Sequence, residues 1–344
     1  MAYTTIDKPT DYFNTKLYSG NGSTQSITGV GFQPDWVWIK RRNSANEHRL
    51  TDAVRGATKE MYSDSTTAET TNSNGLTSFD SDGFSLGSSS GYNSGVGTYV
   101  SWNWLASNTT ASNTDGSITS TVSANTTAGF SISTYTGTGS AGTIGHGLGS
   151  TPKMMIVKCR SNADTWAVYH VDVGATKYME LDTTVGSQTS TQPWNDTEPT
   201  SSLFTVGDWS ATNGSGRTYV AYCFAEKKGY SKFGSYTGNG SSTNGTFAYL
   251  GFKPAWVMIK NISTADPWLM LDNKRDTFNP MEKRLDASDS DAEATGTDYA
   301  NFLSNGFKII GNLGIHNNSG QNYIFMAFAE NPFVTSTGIP TTAR

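Results

Sequence analysis

Residues 137–142 (GTGSAG) have the GxGxxG spacing of a dinucleotide loop. Such a loop needs a helix opening behind it, whose N-terminal amides face the pyrophosphate. The residues that follow, TIGHGLGSTP, cannot form that helix, so a Gly-rich turn is expected. Residues 87–91 (GSSSG) fit GxSxG, yet a nucleophile elbow needs a strand-turn-helix corner with a downstream acid and histidine. None stands out, and a plain loop is expected. His48, His146, His170 and His316 lack the HExxH or paired spacing of a zinc site.

Carboxylates and indoles are the stronger candidates. Asp286, Asp289, Asp291 and Glu293 cluster in DASDSDAE. Hard oxygen ligands of this kind suit calcium, so Asp286, Asp289 and Asp291 are candidate ligands, weighed against a solvated acidic loop. No other cofactor is expected. Glycoside hydrolysis needs two placed carboxylates, and no pair among the 29 acids is singled out. Cys159 and Cys223 are expected as buried thiols, with a disulfide as the alternative if their strands are neighbours. Trp194 (QPWND), Trp209 (GDWSA) and Trp268 lie near predicted strand ends or loops. Indole faces stack on sugar rings and mark contact surfaces, so these three are candidate carbohydrate- or partner-binding residues.

Composition narrows the elements that must position them. The 344 residues include 48 Thr, 41 Ser and 36 Gly, and only 15% are charged. Aromatics at 12% separate the chain from disordered Ser/Thr-rich linkers. Thr, Tyr, Trp and Val suit strands, while Gly, Asn, Ser and Asp suit turns, which favours an all-β fold. A net charge of −5 argues against a nucleic-acid partner. No apolar run is long enough to span a membrane, and MAYTTIDKPTDYF does not read as a signal peptide.

The chain repeats itself. LYSGNG (17–22), TYTGTG (134–139) and SYTGNG (235–240) are one motif, each followed by a Gly-rich stretch, a proline and an apolar strand ending in lysine. Those strands are PDWVWIK (34–40), PKMMIVK (152–158) and PAWVMIK (254–260). Two more landmarks keep the same order. GFSL (83–86), LFTV (203–206) and GFKI (306–309) are one, and YVSWNW (99–104), YVAYCF (219–224) and YIFMAF (323–328) are the other. Trp104 therefore matches Phe224 and Phe328 and belongs in a core. Period-2 alternation puts Trp36 and Trp38 on one face and Val37 and Ile39 on the other. A strand apolar on both faces is buried on both, or packed on one side and bound to a partner on the other.

The reading is all-β, with three tandem antiparallel β-sandwich units of jelly-roll or concanavalin-like type. Residues 1–11 form an N-terminal arm, 12–106 the first unit, 107–127 a polar linker, 128–228 the second unit, 229–331 the third, and 332–344 a C-terminal extended tail. Each unit is long enough for its own core. Helix is confined to scraps such as DYANFL (298–303).

LYSGNGSTQSITGVGFQPDWVWIK, VRGATKEMYS (54–63), GLTSFDSDGFSLG (75–87) and the terminal AFAENPFVTSTGIPTTAR carry a resemblance. They look like a family of virion proteins widespread in marine tailed phages, including those of cyanobacteria and SAR11-type hosts. The resemblance covers nearly the whole chain, best in the first and third units. The middle unit departs from it, with Gly174 set where the first has Arg55. The resemblance implies a particle-associated protein with concanavalin-like units, and it supplies no catalytic residues. The expectation is a non-enzymatic virion protein of the tail or fibre apparatus. It would form a homo-oligomer, expected as a trimer, contact other virion proteins, and touch host surface glycans, with no nucleic-acid partner and no membrane insertion. The alternatives are a capsid-surface decoration or capsid fibre protein, and a glycan depolymerase.

Overall fold

The computed structural model describes residues 3–340. The far ends of the arm and tail, residues 1–2 and 341–344, lie outside the described residues. The chain is all-β, built from antiparallel sheets, with helix limited to turns of three or four residues.

The same four strands recur in the same order. An opening strand (Phe13–Ser19, Phe130–Thr136, Ser231–Thr237) pairs with the closing strand (Thr98–Trp104, Thr218–Phe224, Asn322–Pro332). The closing strand pairs in turn with the inner strand (Trp36–Arg41, Met154–Cys159, Phe252–Asn261). A flanking strand follows (Arg49–Asp52, Trp166–His170, Leu269–Asp272). Each four-strand order has a smaller sheet beside it, formed in the third repeat by Phe247–Tyr249, Gly306–Ile309 and Ala300–Leu303.

Strand alternation explains where the apolar side chains go. Val37, Ile39 and Tyr99 share a cluster with Ile27, Phe84 and Leu86 of the smaller sheet, and the other repeats do the same with their own residues. The opposite faces meet one another. Trp36, Trp38, Trp102 and Trp104 join Ile156, Tyr222 and Phe224 of the second repeat and Trp256, Met326 and Phe328 of the third in one cluster. Ring centroids lie 4.4 Å apart for Trp36–Tyr222, 5.7 Å for Trp104–Trp256 and 6.1 Å for Phe224–Phe328. The largest core is thus shared by all three repeats, beyond the separate cores expected from length.

Other expectations change as well. Residues 107–127 contain two strands, Ala111–Asn113 and Ser120–Asn125, and the latter extends the second repeat's sheet beside Phe130–Thr136. Ser112 and Thr121 face solvent, while Ser120 and Ser123 are buried together with Ile118 and Val122. In place of a helical turn, DYANFL ends in the strand Ala300–Leu303, because Ala300 and Phe302 face the core and Leu303 opposes Gly306 in a hairpin. Gly174 aligns with Gly56, since both donate to the carbonyl four residues back, so Val173 stands where the first repeat has Arg55. The tail folds back on the chain's own arm: Ser336 N and Oγ bond Asp7, and Tyr3 packs edge-on to Phe333.

Candidate functional site

The repeated motif proves to be a lock. Asn93, Asn213 and Asn317, at the ends of short helical turns, are fully buried. Each accepts a backbone N–H with Oδ1, from Asn21, Thr138 and Asn239 respectively. Each Nδ2 donates to two carbonyls, such as Ser140 (2.6 Å) and Gly207 (2.7 Å) for Asn213. Tyr99, Tyr219 and Tyr323 close the same turns, accepting N–H bonds from Ser94, Gly214 and Asn318 and donating to Ser90, Ser210 and Gly314. At Gly20, Gly137 and Gly238 a Cβ would sit 2.1–2.5 Å from a backbone oxygen, so only glycine fits. The GTGSAG stretch is this turn.

A second set of contacts closes the three repeats into a ring. Lys40 Nζ donates to Asn46 O and across to Ser290 O of the third repeat. Lys158 donates to Asp164 O and to Thr66 O of the first, and Lys260 to Asp266 O and Thr184 O of the second. Burial lowers all three amines to a pKa of about 8. Eight residues after each lysine, His48, Trp166 and Trp268 bond across the same junctions, to Asp286 O, Tyr62 O and Glu180 O. Two junctions add ion pairs. Glu69 bridges Arg55 to Arg160, and Glu293 bridges Arg275 to Arg42. Arg55 and Arg275 are also paired with the fully buried Asp52 and Asp272, which accept from Tyr222 OH and Trp102 Nε1. At the third junction, Val173 and Ser187 replace the arginine and glutamate, and Ser187 N and Oγ bond Ile262 O.

These contacts decide most of the candidates. Trp268 is a junction residue, 1% exposed, and Trp194 is fully buried beside Tyr169, so neither is available to a sugar. Trp209 is half-buried against Tyr178, centroids 4.8 Å apart. The expectation that these indoles are exposed is corrected for Trp194 and Trp268, whose loops are folded inward. Asp286 is buried and held by Arg284, and Asp289 Oδ1 accepts Asp291 N. Among the described residues no three His, Cys, Asp or Glu side chains gather as a metal site, so the calcium candidates are corrected too. Burial holds the Asp286 carboxyl up at about 6. Cys159 and Cys223 are buried free thiols on paired strands, with Cys223 opposite Met155.

The exposed aromatic face lies elsewhere, on the smaller sheet of the third repeat. Ala248 points inward, so alternation turns Phe247 and Tyr249 out, 42% and 56% exposed. Phe247 opposes Lys308 and Tyr249 opposes Gly306. Tyr3 lies beside them, its hydroxyl on Gly251 O at 2.7 Å and raised to about 12 by burial and the neighbouring Tyr249. The matching positions hold Ser26 and Thr28 in the first repeat and Thr143 and Gly145 in the second. Aligning the GF/LF strands and reading back to their partners would have exposed this difference. Composition alone pointed to tryptophan.

The fold places the chain among all-β proteins of antiparallel sheets. Residues 8–332 match the family described as Domain of unknown function (DUF7483), and the chain belongs to that family. A search of curated proteins finds no match.

Proposed function

We propose that the chain is a structural protein of a tailed-phage particle, seated in the tail or fibre apparatus. Its three β-sandwich units close around one core, and its exposed aromatic face touches host-surface glycans. The observation that carries this reading is how the polar chemistry is spent. The buried asparagines, lysines and arginines hold turns and repeats together, and the clearest departure from repetition is the pair Phe247 and Tyr249 on an outer sheet. Flat aromatic faces flanked by hydroxyl and amine donors suit sugar rings. The particle assignment rests on the family resemblance. Oligomerisation, with a trimer as the symmetric expectation, would use the outside of the ring.

Two measurements test this. A particle map at side-chain resolution should place the chain at the tail, and density on the capsid surface would favour a decoration role instead. A glycan array should give binding that Tyr249→Ala and Phe247→Ala abolish without lowering the melting temperature. A blank array removes the glycan contact, and shortening of host polysaccharide would turn the reading toward a depolymerase.

A further inference from the structure

We propose that the opening strand of the first repeat, Phe13–Ser19, accepts an extended acidic segment of a partner polypeptide, which adds antiparallel to its free edge. Leu105 N donates to Tyr12 O and Gly20 N to Gly97 O, both at 2.9 Å, which fixes the ladder parity. Asn14, Lys16 and Tyr18 therefore bond the closing strand, and the backbone groups of Thr15 and Leu17 point outward.

The same edge is handled differently in the other repeats. In the second, Ile132 and Thr134 take the places of Thr15 and Leu17, and Ser120–Asn125 pairs with them, Ser123 opposite Ile132 and Thr121 opposite Thr134. That strand lies against Val54 of the first repeat, near which Ser123 and Val54 line one cavity. In the third, the Phe233 N–H is taken by Glu226 and the Thr237 carbonyl by Thr246. In the first, no backbone or side-chain bond reaches Thr15 or Leu17 on the outer side among the described residues. Instead a groove of about 320 Å³ runs there, lined by Asn14, Thr15, Lys16, Leu17, Gly29 and Lys274. Lys274 is the counterpart of Val54, so the groove is the slot that Ser120–Asn125 fills one junction away.

Two observations give the occupant its chemistry. Thr15, 5% exposed, has a buried Oγ1 with no partner, and the side-chain amide of Asn273, next in sequence to Lys274, is likewise buried without one. Lys16 and Lys274 bring two ammonium groups to the groove, and neither is ion-paired with a carboxylate among the described residues; Asp82 acts on Lys16 only at longer range. An added strand satisfies the outward N–H and C=O groups, and carboxylates on it neutralise the amines. This inference does not depend on the particle or glycan reading.

The test uses the full chain and two synthetic peptides. One is SITSTVSANT (residues 117–126), and the other is the same peptide with Ser117→Asp and Thr126→Asp. Residue-resolved hydrogen exchange should show the acidic peptide slowing the Thr15 and Leu17 amides, with an affinity about tenfold above the neutral peptide at low salt. Lys16→Glu with Lys274→Glu should reverse that preference. Leu17→Pro, which removes an outward N–H and leaves the inward ladder intact, should abolish protection while the melting curve persists. The proposal is overturned if neither peptide protects these amides at millimolar concentration, or if both protect equally in low salt. It also fails if the chain alone protects them by self-association.

Discussion

The junction between the first and second repeats and the junction between the second and third share one backbone arrangement and differ in side-chain chemistry. In both, a lysine crosses to a carbonyl, an indole does the same, and a main-chain N–H meets the neighbouring strand's end. The first adds the buried Asp52–Arg55–Glu69–Arg160 chain, and the other has His170, Val173, Ser187 and Ile262 in those places. The ring therefore closes without the ion network. A buried ion pair can be replaced as a set by well-packed apolar groups at little cost, while losing one partner strands a charge.

Breaking that set gives the largest expected effect. Arg55→Val should destabilise the chain by about 3–5 kcal/mol, because Asp52 remains buried and unpaired. Adding Asp52→His, Glu69→Ser and Arg160→Ile, which copies the third junction, should recover most of the loss in chemical denaturation. No recovery would mean that the arginine chain is needed for closure. The shared lock should respond equally in all repeats: Asn93→Ala, Asn213→Ala and Asn317→Ala should each cost about 1–3 kcal/mol.

The lysines give a pH dependence common to all junctions. Their folded pKa of about 8 lies below the ordinary 10.5, so below pH 8 both states are protonated and the burial penalty is fully present. Above pH 8 the folded state sheds protons first, and stability rises with pH. The lysine contribution keeps growing up to the unfolded-state value of 10.5, and from pH 9 the single Cys223 thiol, held up at about 12, works in the opposite direction and offsets part of it. Urea midpoints should increase from pH 8 to 9, and a fall would contradict the buried position of these amines. The smallest effect belongs to the third junction's hydroxyl: Ser187→Ala should change stability by only about 0.5 kcal/mol.

Much of this organisation is legible in the residues. Trp36-Val37-Trp38-Ile39 is apolar on both faces, and the structure buries both, one under the smaller sheet and one against the sister repeats. The side-chain destinations of loop residues are less legible. Trp268 looks like a loop indole until its eight-residue spacing from Lys260 is matched with Trp166 and His48, which reveals a junction position. The exposed face escaped because alternation in the three-residue Phe247–Tyr249 strand is too short to read before its partner strand is known. The polar 107–127 stretch lacks apolar periodicity because its inward positions hold serines as well as apolar residues: Ser120 and Ser123 are buried along with Ile118 and Val122.

The central claim is that three copies share one core, so that the inner face of each is completed only by the other two. The direct measurement is the folding of the first repeat alone, residues 1–106, followed by near-ultraviolet dichroism and urea unfolding. With Trp36, Trp38, Trp102 and Trp104 uncovered, the fragment should lack fixed aromatic signals and a cooperative transition, or should associate through that face. A monomeric fragment that unfolds cooperatively, with native-like tryptophan dichroism, would contradict the account.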